Sequence, residues 1–117
     1  MSTDYDRQFD DYKRQIQQLE REWEERESQL EEAKESEKES CDRIDDEIAD
    51  IEYAEEIYYQ DRKLMELLEQ KKEYLHHAKD AKEKILDAIA SERGKLDHQM
   101  EDSIDDIRKK MNALERW

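Results

Sequence analysis

Hydrophobic residues recur every seven positions along almost the whole chain. Counted from Phe9, twelve of the sixteen residues at this spacing are apolar, although only 34% of the sequence is hydrophobic. A second apolar lane accompanies the first, and near the start of the chain it runs through Tyr5, Tyr12 and Leu19. Such an alternating spacing of three and four residues is typical of a helix that packs along another helix. The pattern therefore predicts an all-α fold of long, paired helices.

Four of the heptad positions counted from Phe9 are charged instead of apolar: Glu37, Lys72, Lys79 and Arg93. Each is a candidate for a turn, a kink or a polar layer between helices. Gly94 is the only glycine and adjoins the last of them. Glycine commonly follows a helix end, but inside a helix it costs only about 1 kcal/mol. A break at this point and an uninterrupted helix are both compatible with the sequence.

The first charged position lies in a segment without large apolar residues, EAKESEKESCD, where Ser36 and Glu39 fit a capping box. Thr3 and Asp6 fit a helix start near residue 4. We therefore expect one domain over 1–117, with helices near 4–36, 42–92 and 95–117, the last two separate or continuous.

A single straight helix would leave the apolar stripe in water, so the chain must fold back on itself or pair with another chain. We predict an elongated antiparallel helical hairpin or coiled coil with its turn near 36–42. A kink or break near Gly94 is compatible with this fold. The arms of such a hairpin would be unequal in length. The longer arm would then expose apolar surface to a partner.

Composition narrows the classes of function. The chain is 49% charged, has a net charge of −15 and contains no proline. An acidic surface disfavours nucleic acid and anionic membranes as partners, and steers the chain toward a basic partner. No apolar run approaches the length of a membrane span. The first residues lack a basic and an apolar region, so we expect a cytoplasmic protein, or one secreted in a complex without a cleaved signal peptide.

No arrangement of side chains points to catalysis. His76, His77 and Asp80 form the one metal-like cluster. Only His76 and Asp80, four residues apart, could share an ion, and two ligands are too few, because tight zinc sites use three or four. Cys41 lies on the apolar lane and is interpreted as a small buried residue. A two-helix hairpin offers no pocket that would shift the pKa of a carboxyl group for acid–base work. We expect no enzyme, no cofactor, no metal and no small-molecule substrate.

The stretch IEYAEEIYYQD, residues 51–61, contains three tyrosines. Tyr58 falls on the heptad positions counted from Phe9 and is interpreted as an ordinary residue of the helix contact, whereas Tyr53 and Tyr59 lie on other sides of the helix. A helix that is apolar on several sides contacts more than one neighbour. The neighbour is either a partner protein or a third helix of the same fold. The predicted partner-binding residues are Ile51, Tyr53, Tyr58, Tyr59, Leu64, Met65 and Leu68, supported by Trp23 and Leu30. Trp117 is either frayed or docked.

An acidic helical hairpin of this length, with YYQDRKLMELLEQKK at 58–72, resembles the Lap-type small helical proteins that accompany LXG toxins in the type VII secretion of Gram-positive bacteria. The resemblance implies a targeting chaperone that binds the helical N-terminal domain of a toxin. The chain lacks the export marks of the wider family: Trp23 does not begin a W-x-G turn, Phe9 is followed four places on by Lys13, and no tyrosine has an acid four places on. A second small helical protein would therefore supply the export signal. The alternative function is a self-associating structural coiled coil, such as a stalk or scaffold.

Overall fold

The computed structural model describes residues 3–115, which form two α-helices of equal length. Helix α1 spans Asp4–Ile57 and helix α2 spans Arg62–Glu115, with 54 residues each. The all-α prediction and the prediction of an antiparallel helical hairpin are confirmed. Thr3 begins α1 as predicted, since its Oγ1 accepts a hydrogen bond from the Asp6 N–H and its own N–H donates to Asp6 Oδ2, both at 3.3 Å.

The predicted turn near 36–42 is wrong, because α1 continues through this segment without a break. Ser36 and Glu39 match a capping box in sequence, but residues of this type cap a helix only if the backbone before them is not helical. Here the backbone on both sides of Ser36 is helical. In this segment Cys41 is buried and Glu37 pairs with a lysine of α2, so continuing the helix gains interhelical contacts. The break considered at Gly94 is also absent, since α2 passes through it without a positive φ.

The turn lies instead at YYQD, residues 58–61, within the tyrosine-rich stretch. Asp61 caps α2, since its Oδ1 accepts a hydrogen bond from the Leu64 N–H at 3.0 Å and its carbonyl oxygen accepts one from the Met65 N–H at 2.9 Å. The Asp61 N–H in turn donates to the carbonyl oxygen of Tyr58 at 2.9 Å. The turn thus needs neither glycine nor proline, and it divides the described chain into two equal arms.

The chain forms two compact units, each containing part of both helices. The turn unit is Glu32–Ala90, and the terminal unit comprises, among the described residues, 3–31 and 91–115. The core of the turn unit consists of Ile48, Ile51 and Leu75, with the partly buried Ile44 and Leu68 packed against them. In the terminal unit, the buried apolar side chains are Leu30, Ile104 and Ile107.

The four charged heptad positions form polar layers between the helices rather than turns or kinks. In the turn unit, Lys72 Nζ lies 2.7 Å from Glu55 Oε1, Lys79 Nζ 2.7 Å from Asp45 Oδ1, and Lys82 Nζ 3.1 Å from Glu37 Oε2. In the terminal unit, Arg93 Nη1 lies 3.0 Å from Glu31 Oε2. Each pair joins α1 to α2. In the turn unit the residue number falls along α2 as it rises along α1, which shows that the helices there run antiparallel.

Candidate functional site

Exposed apolar side chains concentrate in the turn unit. Of the eight large hydrophobic residues that are exposed in the described part of the chain, seven belong to this unit and only Tyr5 to the terminal unit. The seven are Tyr53, Ile57, Tyr58, Tyr59, Leu67, Tyr74 and Ile85. Single exposed apolar residues are normal on a protein surface. A group of this size within 33 residues, in a chain that is 49% charged, is a candidate interaction surface.

We call four neighbouring residues at the end of α1 and in the turn the turn patch: Tyr53, Ile57, Tyr58 and Tyr59. Tyr53 and Ile57 are four residues apart, so they lie on the same side of α1. The side chains of Tyr53 and Tyr59 are each 66% exposed, and those of Ile57 and Tyr58 are each 51% exposed. Four large apolar side chains thus meet water within seven consecutive residues.

The surface of the turn patch is shallow. Ile57, Tyr58 and Tyr59, together with Gln60 and Asp61, line an open groove of about 400 Å³. The Gln60 side chain donates a hydrogen bond from Nε2 to the Tyr59 hydroxyl at 3.3 Å. A shallow aromatic surface suits the side chains of another protein better than an enclosed small molecule.

Of the predicted site residues near the turn, the three tyrosines are exposed and Ile51 is buried. Tyr53 and Tyr59 lie outside the contact between α1 and α2, as the helical geometry predicts. The interpretation of Tyr58 as an ordinary residue of this contact is wrong, because α1 ends at Ile57 and the Tyr58 side chain is left half exposed. Ile51 is only 5% exposed and belongs to the core of the turn unit.

The three remaining predicted residues of the turn unit lie in the first turns of α2. Leu64, Met65 and Leu68 are partly buried, and Leu68 packs against the core of the unit. These side chains therefore support the helix pair, and at most their partly exposed edges are open to a partner.

The two predicted supporting residues lie in the terminal unit. Leu30 is buried. Trp23 is partly buried, and its indole Nε1–H donates to Asp97 Oδ1 at 2.8 Å and to Glu27 Oε1 at 3.1 Å. A single tryptophan donor is thus shared by two carboxyl groups, one from each helix. Trp23 is therefore a packing residue of its own unit.

The two carboxyl groups beside Trp23 influence each other's protonation. The hydrogen bond to the Asp97 side chain raises the pKa of Glu27, as do partial burial and the charge of Asp97. The hydrogen bond from Trp23 lowers the pKa of Asp97, and the one from Glu27 lowers it further. Glu27 is consequently the carboxyl group that takes up a proton first as the pH falls.

The residues considered for metal binding or nucleophilic chemistry are not assembled into a site. His76, His77 and Asp80 are exposed, and residues 3–115 contain no group of three or more metal-ligating side chains. Cys41 is buried and unpaired by disulfide, in agreement with its interpretation as a small core residue. Trp117 lies outside the described residues.

Sequence reasoning missed part of the exposed apolar surface. Ile57 lies only one position before Tyr58 and was not counted as a partner-binding residue. Leu67, Tyr74 and Ile85, also exposed, follow a separate spacing along α2 that the heptad count from Phe9 does not include. That spacing is visible in the sequence once the residues of the helix contact are set aside.

Comparison of the chain with protein-family models, curated proteins and solved structures finds no match. Neither α1 nor α2, over the residues described, combines the length and apolar character that a membrane-crossing helix needs.

Proposed function

We propose that this protein is a non-enzymatic helical adaptor that binds a helical partner protein through the turn patch. The supporting observation is the exposure of Tyr53, Tyr58 and Tyr59, which the contact between α1 and α2 leaves outside the core. Tyrosine is enriched among the residues that dominate binding energy at protein interfaces, because it combines a large apolar ring with a polar group.

Charge supports a partner with a basic surface. Helix α1 holds 22 acidic and 8 basic residues. Seven of the acids crowd the segment 45–56, which leads directly to the turn patch: Asp45, Asp46, Glu47, Asp50, Glu52, Glu55 and Glu56. Of these, Asp45 and Glu55 pair with lysines of α2. The others lie on α1 next to or shortly before the patch, and their negative charge favours encounter with a basic surface.

The resemblance to Lap-type proteins suggests which partner to test first. In this proposal the chain acts as a targeting chaperone for type VII secretion, binding the helical N-terminal domain of an LXG toxin beside a second small helical protein. The turn patch would contact helices of the toxin domain.

The test is a binding measurement with the N-terminal domain of an LXG protein encoded beside this chain, in the presence of the second small protein. The variant carries Tyr53→Ser and Tyr59→Ser. Because each interface tyrosine contributes about 1–2 kcal/mol, affinity should fall at least tenfold while helicity stays unchanged. Tyr5→Ser is the matched control, since Tyr5 is an exposed tyrosine near the start of α1 and lies outside the turn unit.

Three results would overturn the proposal. The first is the absence of any binding to the toxin domain by the unaltered chain. The second is an equal loss of affinity in the Tyr5→Ser control, which would place the interface elsewhere. The third is a loss of helicity in the double variant, which would make Tyr53 and Tyr59 part of the fold.

A further inference from the structure

Helix α2 carries a second apolar stripe that its contact with α1 does not use. The stripe alternates steps of four and three residues and is apolar except for one lysine: Leu67, Lys71, Tyr74, Ala78, Ala81, Ile85 and Ala88. We call it the α2 outer face. Leu67 is 62% exposed, Tyr74 72% and Ile85 44%. The residues of α2 that pack toward α1, such as Leu68 and Leu75, are the neighbouring positions of the helix.

The α2 outer face is free of acidic residues. None of its seven positions is acidic in a chain with 36 acidic residues among 117, and Gln70 and His77 border it toward solvent. Glu66 and Glu73 lie further round the helix, on the side of Lys84. Two copies of a chain with net charge −15 repel each other across most surfaces. The seven positions of the stripe can meet their own copy without placing a carboxylate inside the contact.

The order of side-chain sizes along the stripe selects one arrangement of two copies. The large residues Leu67 and Tyr74 lie toward the start of α2, and Ala78 and Ala81 follow them. In an antiparallel pair with the two-fold axis near His76, Tyr74 lies opposite Ala78 of the second copy. Leu67 then lies opposite Ile85, and the long Lys71 stem lies opposite Ala81. A large side chain thus faces a small one in the central layers, as interdigitated helix packing requires.

We propose that the α2 outer face binds a second copy of this chain, α2 against α2, in a symmetric antiparallel dimer. The arrangement is isologous, so every contact occurs twice. Gln70 of one copy then lies beside Lys84 of the other. Neither Lys71 nor Lys84 lies opposite the same lysine of the second copy.

The exposed area indicates a weak dimer. The exposed fractions of Leu67, Tyr74 and Ile85 correspond to roughly 350 Å² of apolar side chain per copy. A standard stable interface buries about 800 Å² per partner, so we expect a dissociation constant in the micromolar range. The proposal does not rest on the turn patch, which is a different set of residues, and the full chain alone is enough to test it.

The first experiment is sedimentation equilibrium of the full chain at micromolar to millimolar concentrations. The chain should change from monomer to dimer over this range. Ala81→Glu should weaken the dimer at least tenfold, because it places a carboxylate between the apolar layers. Ser28→Glu is the matched control, since it adds the same charge at an exposed position of α1 and should weaken the dimer much less.

The second experiment is chemical cross-linking, which does not depend on the stability of the Ala81→Glu variant. With Cys41→Ser as background, His77→Cys places a thiol beside its own equivalent across the two-fold axis, and a short bismaleimide should produce a covalent dimer. Ser28→Cys should not. A monomer at all concentrations, a dimer equally sensitive to both glutamate variants, or cross-linking from position 28 as efficient as from position 77 would each refute the proposed dimer.

Discussion

The contrast between Ile51 and Ile57 gives the sharpest prediction about the fold. Both are isoleucines near the end of α1, but Ile51 is 5% exposed in the core of the turn unit, whereas Ile57 is 51% exposed beside the turn. Ile→Ala removes three carbon atoms from either position. The two substitutions therefore alter side-chain chemistry equally and differ only in what surrounds the removed atoms.

The expected loss of stability follows from burial. At position 51, three buried carbons contribute about 2.4 kcal/mol by transfer from water, and the unfilled cavity raises the total to about 3 kcal/mol. At position 57, roughly half of the transfer energy is lost and no cavity forms. The higher helix propensity of alanine offsets part of that loss, which leaves about 0.5–1 kcal/mol.

Urea unfolding followed by circular dichroism measures both values. With a slope of about 2 kcal/mol per molar urea, Ile51→Ala should lower the midpoint by about 1.5 M, several times more than Ile57→Ala. The slopes should match that of the unaltered chain. Equal shifts for the two variants, or a larger shift for Ile57→Ala, would refute the placement of Ile51 in the core and of Ile57 at the turn.

Three further predictions test local features. Asp61→Ala should destabilise the chain by about 1 kcal/mol in urea unfolding by removing the cap of α2, whereas Asp61→Asn should largely preserve stability; equal losses would argue against a capping role. Gly94→Ala should stabilise α2 by about 0.5–1 kcal/mol and raise the unfolding midpoint, because an added methyl group meets nothing within 4 Å; a destabilised variant would contradict a regular helix there. Asp97→Asn should lower the pKa of Glu27 toward its ordinary 4.5, as followed by carboxyl NMR shifts. Since the folded state raises the pKa of Glu27, this group stabilises the fold below pH 4.5 and loses that contribution as the pH rises; an unchanged pKa would show that Asp97 is not its cause.

The heptad spacing from Phe9 was enough to predict the fold class, because burying a continuous apolar stripe requires a partner helix. The position of the turn could not be predicted from glycine or proline, the residues that most often mark turns. YYQD contains neither of them, and its only turn signal is Asp61, which caps α2. With 36 acidic residues in the chain, one aspartate does not stand out as a helix cap. Segment 36–42 has stronger turn composition, yet contacts made by Glu37 and Cys41 across the helix pair keep it helical.

The ion-pair partners of the charged heptad positions cannot be identified from the spacing of residues along one helix. Lys72, Lys79 and Arg93 look like interruptions because their partners are acids of the other helix, more than 15 residues away in the chain. Only the pairing register between α1 and α2 identifies those partners, and the register depends on where the turn lies. The polar layers therefore become interpretable once the turn is known.

The candidate site was predicted in part. Helical geometry correctly placed Tyr53 and Tyr59 outside the helix contact, whereas Tyr58 was misplaced because the count assumed that the helix continues past Ile57. Leu67 and Tyr74 were missed because one heptad register was followed, and α2 carries two. That these surfaces bind partners stays a prediction.

The most direct test of the hairpin is a distance between residues 45 and 79, measured by electron paramagnetic resonance between spin labels on cysteines introduced there, with Cys41 replaced by serine. Asp45 and Lys79 form an ion pair between α1 and α2 in the turn unit. A turn at residues 58–61 predicts a separation close to that of packed helices, about 8–10 Å between axes, extended by the label arms. A turn near 36–42 would leave both labels on one helix, about 50 Å apart. A distance near that second value would contradict the placement of the turn patch at the end of the hairpin.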